Sequence, residues 1–509
     1  MTIVPPSSMW ALDSRNYFSM KRLVYLISLF FLTASISNCN YDQAEEFAIV
    51  TGIVEDGTES NIVVQEDCTT FSTPSVPSTV SSGGLKINLV VIQIAFEGSV
   101  NQESYGDPFS HQSFKSETSC WANKIFGSNS GQLNEFWQEV SYGKFMVYPA
   151  TETHGTANDG IITVSLSGNH PNFVVPGKPD GKDAAPWFTA ALGKADPYID
   201  FSAYDADSDG HLSKKELQVM FIVAGGESAA GGVPGIWAHA SCLVTNETFD
   251  GYKIGECGYQ GYSVFGERQW NHDATIGIIA HELGHAIFCF PDLYDTSSTG
   301  AGIGSFGLMS GGSWGRKQGE NAGASPVHLM AWNKYKSGGS WCYNWYGNTA
   351  NYSGVIFETP DNISSNSSSV TLYHTTHNNF NTKIINISGK TKEYFMLENI
   401  GHDGYQAGLD YMIGGNGDTS GIAIWHIDEN QSVNSDYTHK LVDLEEASAA
   451  GLDLGSHNGK QTNLFFSGNK TEFSNSTNPN SKTYSGTSSG ITINNISAAG
   501  DSITFDVSF

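Results

Sequence analysis

Apolar and polar positions fall into two textures along the chain, and the change comes near residue 346. Before it, long apolar runs alternate with polar, glycine-rich stretches. LKINLVVIQIAF (85–96) alternates and then turns β-branched, which predicts a buried strand. NEFWQEVSYGKF (134–145) carries apolar residues at helical spacing and stops at Gly143. LQVMFIVAGG (217–226) predicts a second apolar strand ending in glycines. ATIGIIAHELGHAIF (274–288) predicts the strongest helix: Ile276, Ile279, Leu283 and Ile287 keep one face apolar, and Asp273 is a candidate cap. Beyond 346, SSVTLYH, EYFMLENI, GIAIWHID, TNLFFSG, GITINNI and SITFDVSF are separated by Asn/Ser/Gly turns. Short strands at near-regular spacing predict a β-sandwich-type domain over 346–509.

The first 84 residues read differently. MKRLVYLISLFFLTASISN (20–38) has a basic start, an apolar run and small residues after it, the layout of a secretory signal peptide. Met20 then reads as a start, with 1–19 an extension before it. Cys39 follows directly, and Ile36-Ser37-Asn38-Cys39 loosely resembles a lipid-anchor site. Residues 39–84 are polar and Ser/Thr/Pro-rich, a propeptide or linker. The apolar run is too short for a membrane span, so no transmembrane anchor is expected. The expected location is outside the cell, secreted or lipid-anchored at its surface.

The formal charge of −27 repels phosphate backbones, which argues against nucleic-acid binding. None of the seven cysteines forms a C-x-x-C pair, so zinc ribbons and thioredoxin-like sites are unsupported. In an exported chain Cys242 and Cys257, which flank a short Gly/Tyr-rich stretch, are the best disulfide candidates. The chain has no G-x-S-x-G elbow and no P-loop.

The chemistry concentrates at His281-Glu282-Leu283-Gly284-His285, an H-E-x-x-H pattern. Residues four apart on a helix are offset by about 40° and about 6 Å, so both imidazoles reach one metal. Glu282 is placed to act as general base on a water that zinc acidifies. Two histidines and a glutamate on so apolar a helix are expensive to bury without partners, which favours ligation over two spare surface histidines. A third protein ligand leaves one position open for water or substrate. Pro291 ends the helix, and Asp292, or second Asp295, can return to the metal from the turn. The alternative for either aspartate is helix-end or loop hydrogen bonding, or calcium binding. SFGLMSGGSW (305–314) is a tight turn around Met309 of the kind that floors a metal site.

A second pattern, Asp205-x-Asp207-x-Asp209-Gly210-His211-x-Ser213-x-x-Glu216, matches a calcium loop. Its ligands would be the side chains of Asp205, Asp207, Asp209 and Glu216 and the carbonyl of His211. A plain acidic surface loop is the alternative. His426 and Glu398 sit in strand patterns and read as structural. His239, His272 and His402 are isolated.

HELGHAIFCFPDLYD (281–295) with GLMSGGSW (307–314) resembles the M6 family of secreted metallopeptidases, the immune inhibitor A type. LNEFWQEVSYGKF (133–145), EYFMLENI, GIAIWHIDEN, LVDLEEAS (441–448) and the final NPNSKTYSGTSSGITINNIS extend the likeness over roughly 85–509. The resemblance implies His281 and His285 as zinc ligands, Glu282 as general base and Met309 as the Met-turn residue. Two departures bear on the third ligand: Phe288 and Cys289 stand where relatives carry Gly, and the interval from His285 to Asp292 is one residue longer. The expected whole is α+β. A zincin/metzincin-like catalytic domain spans 85–345 with the calcium loop at 205–216, and the β-rich domain follows. The expected activity is a calcium-stabilised zinc endopeptidase, a monomer acting on protein or peptide. An inactive or glycoprotein-directed homologue serving as a binding or adhesion module is the competing reading.

Overall fold

The computed structural model describes residues 80–98, 114, 118–173, 181–339 and 354–509, apart from 82, 296, 298, 416–418 and 449–450. The extension, signal peptide, lipid-anchor cysteine and most of the linker segment predicted above lie outside these residues.

β1 (Leu85–Phe96) is the axis of an eight-stranded sheet. α1 (Thr118–Phe126) and α2 (Leu133–Val140) follow it, the latter over the helical spacing read at 134–145. The first half of β1 pairs in parallel with β2 (Phe145–Pro149) and the second half with β3 (Ile161–Leu166). α3 (Gly181–Ala195) leads to β4 (Gln218–Glu227), which pairs with the other edge of β1. Beyond β4 lie β5 (Gly235–Ile236), β6 (His239–Ser241), β7 (Tyr262–Gln269) and β8 (His272–Asp273). β4 pairs with β7 in parallel, and β6 runs antiparallel to β7.

Successive side chains of a strand point to opposite faces, and here both faces are covered. Ile87, Leu89, Val91, Met220, Ile222 and Phe265 pack into one core with the helices that follow the sheet. Val90, Ile92, Ile94, Phe221 and Val223 pack into a second core with Phe188, Ala191 and Leu192 of α3. The fold is mixed α/β.

α4 (Ile276–Phe288) lies in the first core and is buried along its whole length. Its N-cap is Thr275, whose side chain caps no amide, and not Asp273, which pairs with Arg268. The Thr275 hydroxyl bonds Gln269 and the Ala322 carbonyl instead.

α5 (Ala331–Lys336) leads to the C-terminal strands. β9 (Asp361–Asn362), β11 (Lys383–Asn386), β12 (Glu393–Ile400), β13 (Gly421–Asp428) and β14 (Val442–Leu444) form a five-stranded sheet. β10 (Ser367–Tyr373), β15 (Thr492–Asn494) and β16 (Ser502–Ser508) form a three-stranded one. Every residue of β12 and β13 is buried, because the larger sheet is covered twice. Phe395, Leu397, Ile422 and Ile424 pack with Leu372, Ile503 and Phe505 of the smaller sheet. Met396, Ala423, Trp425 and Ile427, on the alternate face, belong to the same core as α4.

Candidate metal centre

α4 places His281 and His285 on one face, one turn apart. The helix stops at Phe288, and Cys289 adopts a left-handed φ of 57°. Its amide bonds the His285 carbonyl, and the Phe290 amide reaches back to Gly284. This reversal brings Asp292 under the two imidazoles. A non-glycine residue in that conformation costs about 1–2 kcal/mol, so the turn is held by its surroundings. Cys289 is disulfide-bonded, which removes it as a free thiol beside the site.

Asp292 Oδ1 lies 3.1 Å from His281 Nε2 and 3.0 Å from His285 Nε2, and the two Nε2 atoms are 3.1 Å apart. The other ring nitrogens are committed to backbone carbonyls. His281 Nδ1 donates to Leu308 at 2.9 Å, and His285 Nδ1 donates to Phe290 at 2.5 Å. A neutral imidazole that donates from Nδ1 offers a lone pair at Nε2. With both imidazoles neutral, three acceptor atoms therefore converge with no donor among them. A tetrahedral metal at roughly 2.0–2.1 Å from each ligand separates its donor atoms by about 3.3 Å, close to this triangle. The three residues fit a metal, and the backbone carbonyls supply the outer contacts that orient metal-ligating histidines.

Burial alone would raise the Asp292 carboxyl, but without a metal the charge of a protonated imidazole and hydrogen bonds from Nε2 outweigh it and hold the group well below the usual carboxylate range. Burial pushes Glu282 up to about 8, with Asp292 and Glu227 adding to it against His281. Glu282 Oε1 is buried with no hydrogen-bond partner, an acceptor left open beside the triangle.

The Gly-rich turn contributes backbone as well as Met309. Leu308 supplies the carbonyl that orients His281, and the Met309 carbonyl accepts the Leu293 amide at 2.7 Å. Met309 is fully buried against Gly284, in the turn between the two histidines. Tyr294 lies parallel to the His281 ring at 6.4 Å. Asp295 does not join the triangle. Its carboxylate accepts from the Ser297, Thr299 and Gly300 amides and two hydroxyls, so it shapes the loop.

Three further contributors escaped the sequence reading. Glu227 ends β4 fully buried and accepts the Ala229, Ala238 and Gly266 amides, pinning the 228–238 loop to β7. Burial pushes its carboxyl up to about 7, against those hydrogen bonds. The Phe290 and Leu308 carbonyls are main-chain atoms, which no residue-type pattern announces.

The acidic loop is partly assembled. Carboxylate oxygens of Asp205, Asp207 and Asp209 lie within 4.8 Å of one another, and Gly210 has a φ of 84°. Glu216 turns elsewhere: its oxygens accept the Ala206, Asp207 and Ser213 amides, closing the loop on itself. The His211 ring pairs with Glu256 at 2.8 Å and stacks on Tyr259. Cys242 and Cys257 are joined as a disulfide. His426 is buried between Glu393 and Glu445, and Glu398 accepts the Ala331 amide and the Trp425 indole, both structural placements. Among the described residues no helix is long and apolar enough to cross a membrane.

An H-E-x-x-H helix, a carboxylate returning from the turn and a buried methionine beside them fit the pattern of a metallopeptidase site. Residues 192–342 match the catalytic domain of the immune inhibitor A peptidase M6 family, and the match spans both the acidic loop and the triangle. That segment is therefore similar to an M6 peptidase catalytic domain. Among solved structures, a catalytically inactive OgpA from Akkermansia muciniphila, in complex with an O-glycopeptide substrate, is similar at 12% identity. That similarity covers 71% of this chain and 94% of the other, and its TM-score of 0.25 assigns no fold. No curated protein matches.

Proposed function

We propose that the chain is an exported zinc endopeptidase in which His281, His285 and Asp292 hold the metal and Glu282 is the general base. The observation that carries the reading is the triangle of three ligand atoms, 3.0–3.1 Å apart, with both imidazoles oriented from outside by backbone carbonyls. Bound there, zinc supplies a Lewis acid for the scissile carbonyl and lowers the pKa of water toward about 7. His281 and His285 present their Nε2 lone pairs because Leu308 and Phe290 hold the protons on Nδ1. Glu282, whose carboxylate form a divalent cation beside it would favour and whose Oε1 is unengaged, would take the proton of the attacking water and pass it to the leaving amine. Asp292 contributes a negative charge that a divalent cation offsets. No covalent intermediate is needed, since water is the nucleophile. The substrate class is a protein or peptide.

The loop 205–216 is proposed to bind calcium through Asp205, Asp207, Asp209 and the His211 carbonyl, with Glu216 closing the loop. Its place just ahead of β4 suits a stabilising ion. The exported location belongs to the same proposal, as does a division into a catalytic segment at 85–345 and a β-rich segment at 346–509 that closes its core.

The test is metal content and casein hydrolysis of the wild type beside Glu282→Gln. Both proteins should hold about one zinc, and only the wild type should cleave. If both cleave equally, or if neither holds zinc, the peptidase reading at this motif fails and the binding-module alternative replaces it.

A further inference from the structure

We infer that Lys214, on the segment that leaves the acidic loop, is a positioning residue for the metal centre, because its side chain clamps the turn that carries Asp292. The inference rests on the metal-site reading above.

Lys214 is 2% exposed. Its Nζ donates to the Ala286 carbonyl at 2.8 Å and lies 3.4 Å from Cys289 Sγ. The last four carbonyls of a helix have no intrahelical partner. At the end of α4 the Cys289 amide goes to His285 and the Phe290 amide to Gly284, so Ala286 is left to Lys214.

The clamp sits where the site is assembled. Ala286 follows the ligand His285. Cys289 is the left-handed residue that reverses the chain. Phe290, next along, supplies the carbonyl that orients His285, and Asp292 is two residues further. Lys214 thus holds both the helix end and the reversal, one residue from the first orienting carbonyl and three from the third ligand. Its own anchor is firm. The Lys214 amide bonds Tyr259, and Ser213 beside it is held by the carboxylate of Glu216. The acidic loop is therefore tied mechanically to the metal triangle.

The molecule offers its own control. Lys124 is 6% exposed, and its Nζ donates to the Ala274 carbonyl at 2.9 Å, at the opposite end of α4. Both lysines are buried and hydrogen-bonded to backbone, Lys214 at the helix end that leads into the ligand-bearing turn and Lys124 at the other.

The experiment measures zinc loss to a competing chelator from zinc-loaded wild type, Lys214→Met, Lys214→Gln and Lys124→Met, with thermal unfolding of each metal-free protein alongside. Both Lys214 variants should hold zinc about tenfold or more less tightly than wild type, as outer contacts of a metal site do. Lys124→Met should keep the wild-type zinc affinity. Equal zinc affinity in Lys214→Met and wild type overturns the inference, as does an equal loss in Lys124→Met, which would mark a general effect of removing a buried lysine. Failure of both Lys214 variants to fold also overturns it, making Lys214 a folding residue. A wild type that binds no zinc fails the metal-site reading itself, a separate result.

Discussion

Gly284→Ala is the sharpest probe of the contact between the H-E-x-x-H helix and the Gly-rich turn. Intrinsic helix propensity alone favours the change by about 1 kcal/mol. The structure opposes it. A Cβ at Gly284 would stand 2.7 Å from Met309 Sδ and 3.2 Å from its Cε. Met309 is fully buried, so its side chain has little room to swing away. Overpacking of this kind costs about 1–3 kcal/mol, leaving a net loss of about 0–2 kcal/mol. Met309→Ala alone should cost about 2–5 kcal/mol through the cavity it leaves. In the double variant the clash is gone and the helix gain returns, which predicts a coupling of about 1–3 kcal/mol. Denaturant unfolding of the four metal-free proteins gives the cycle. A Gly284→Ala protein that is stabilised by the full helix increment, with additive double-variant behaviour, would refute the contact.

Other predictions follow from the same packing and charges. Burial by itself lowers the His426 pKa, but hydrogen bonds with Glu393 and Glu445 outweigh it and raise it from 6.5 to about 9. A raised folded pKa stabilises fully below the unfolded value and is lost as pH rises through the folded one. Wild type should therefore lose roughly 3 kcal/mol between pH 6.5 and 9 that His426→Gln does not lose. Parallel urea-unfolding profiles for the two proteins across that window would count against it. Met396→Ala should cost about 2–5 kcal/mol in one cooperative transition, because β12 closes the core that holds α4. Two separate transitions by calorimetry would contradict a shared core. Calcium at a hundredfold excess over Kd should stabilise wild type by about 3 kcal/mol and Asp207→Asn by less. No change in the wild-type melting temperature would leave the acidic loop as surface.

Much of this was legible because local periodicity carries it. β1, β12 and β13 lie where their apolar runs predict, and α4 occupies 276–288 within the expected 274–288. That His281 and His285 converge was readable from one helix turn, and that Asp292 could join them from the stop at Pro291. The choice between Asp292 and Asp295 was not readable, because it depends on a left-handed Cys289 and on which loop amides Asp295 satisfies. TNLFFSG read as a strand, yet Phe465 and Phe466 make only single bridges, to Ile422 and Lys470. The apolar residues there fill a core without a ladder. Lys214 looked like any lysine in a polar loop, since burial of an ammonium depends on a helix end distant in sequence. The shared core was hidden for a related reason. A strand buried on both faces reads the same whatever covers it.

The central claim is that His281, His285 and Asp292, and not Asp295, hold the metal. Zinc stoichiometry of purified wild type, His285→Ala, Asp292→Ala and Asp295→Ala tests it directly. About one zinc should remain in wild type and in Asp295→Ala and be lost from the other two. Zinc retained by Asp292→Ala, or lost from Asp295→Ala alone, would contradict the account.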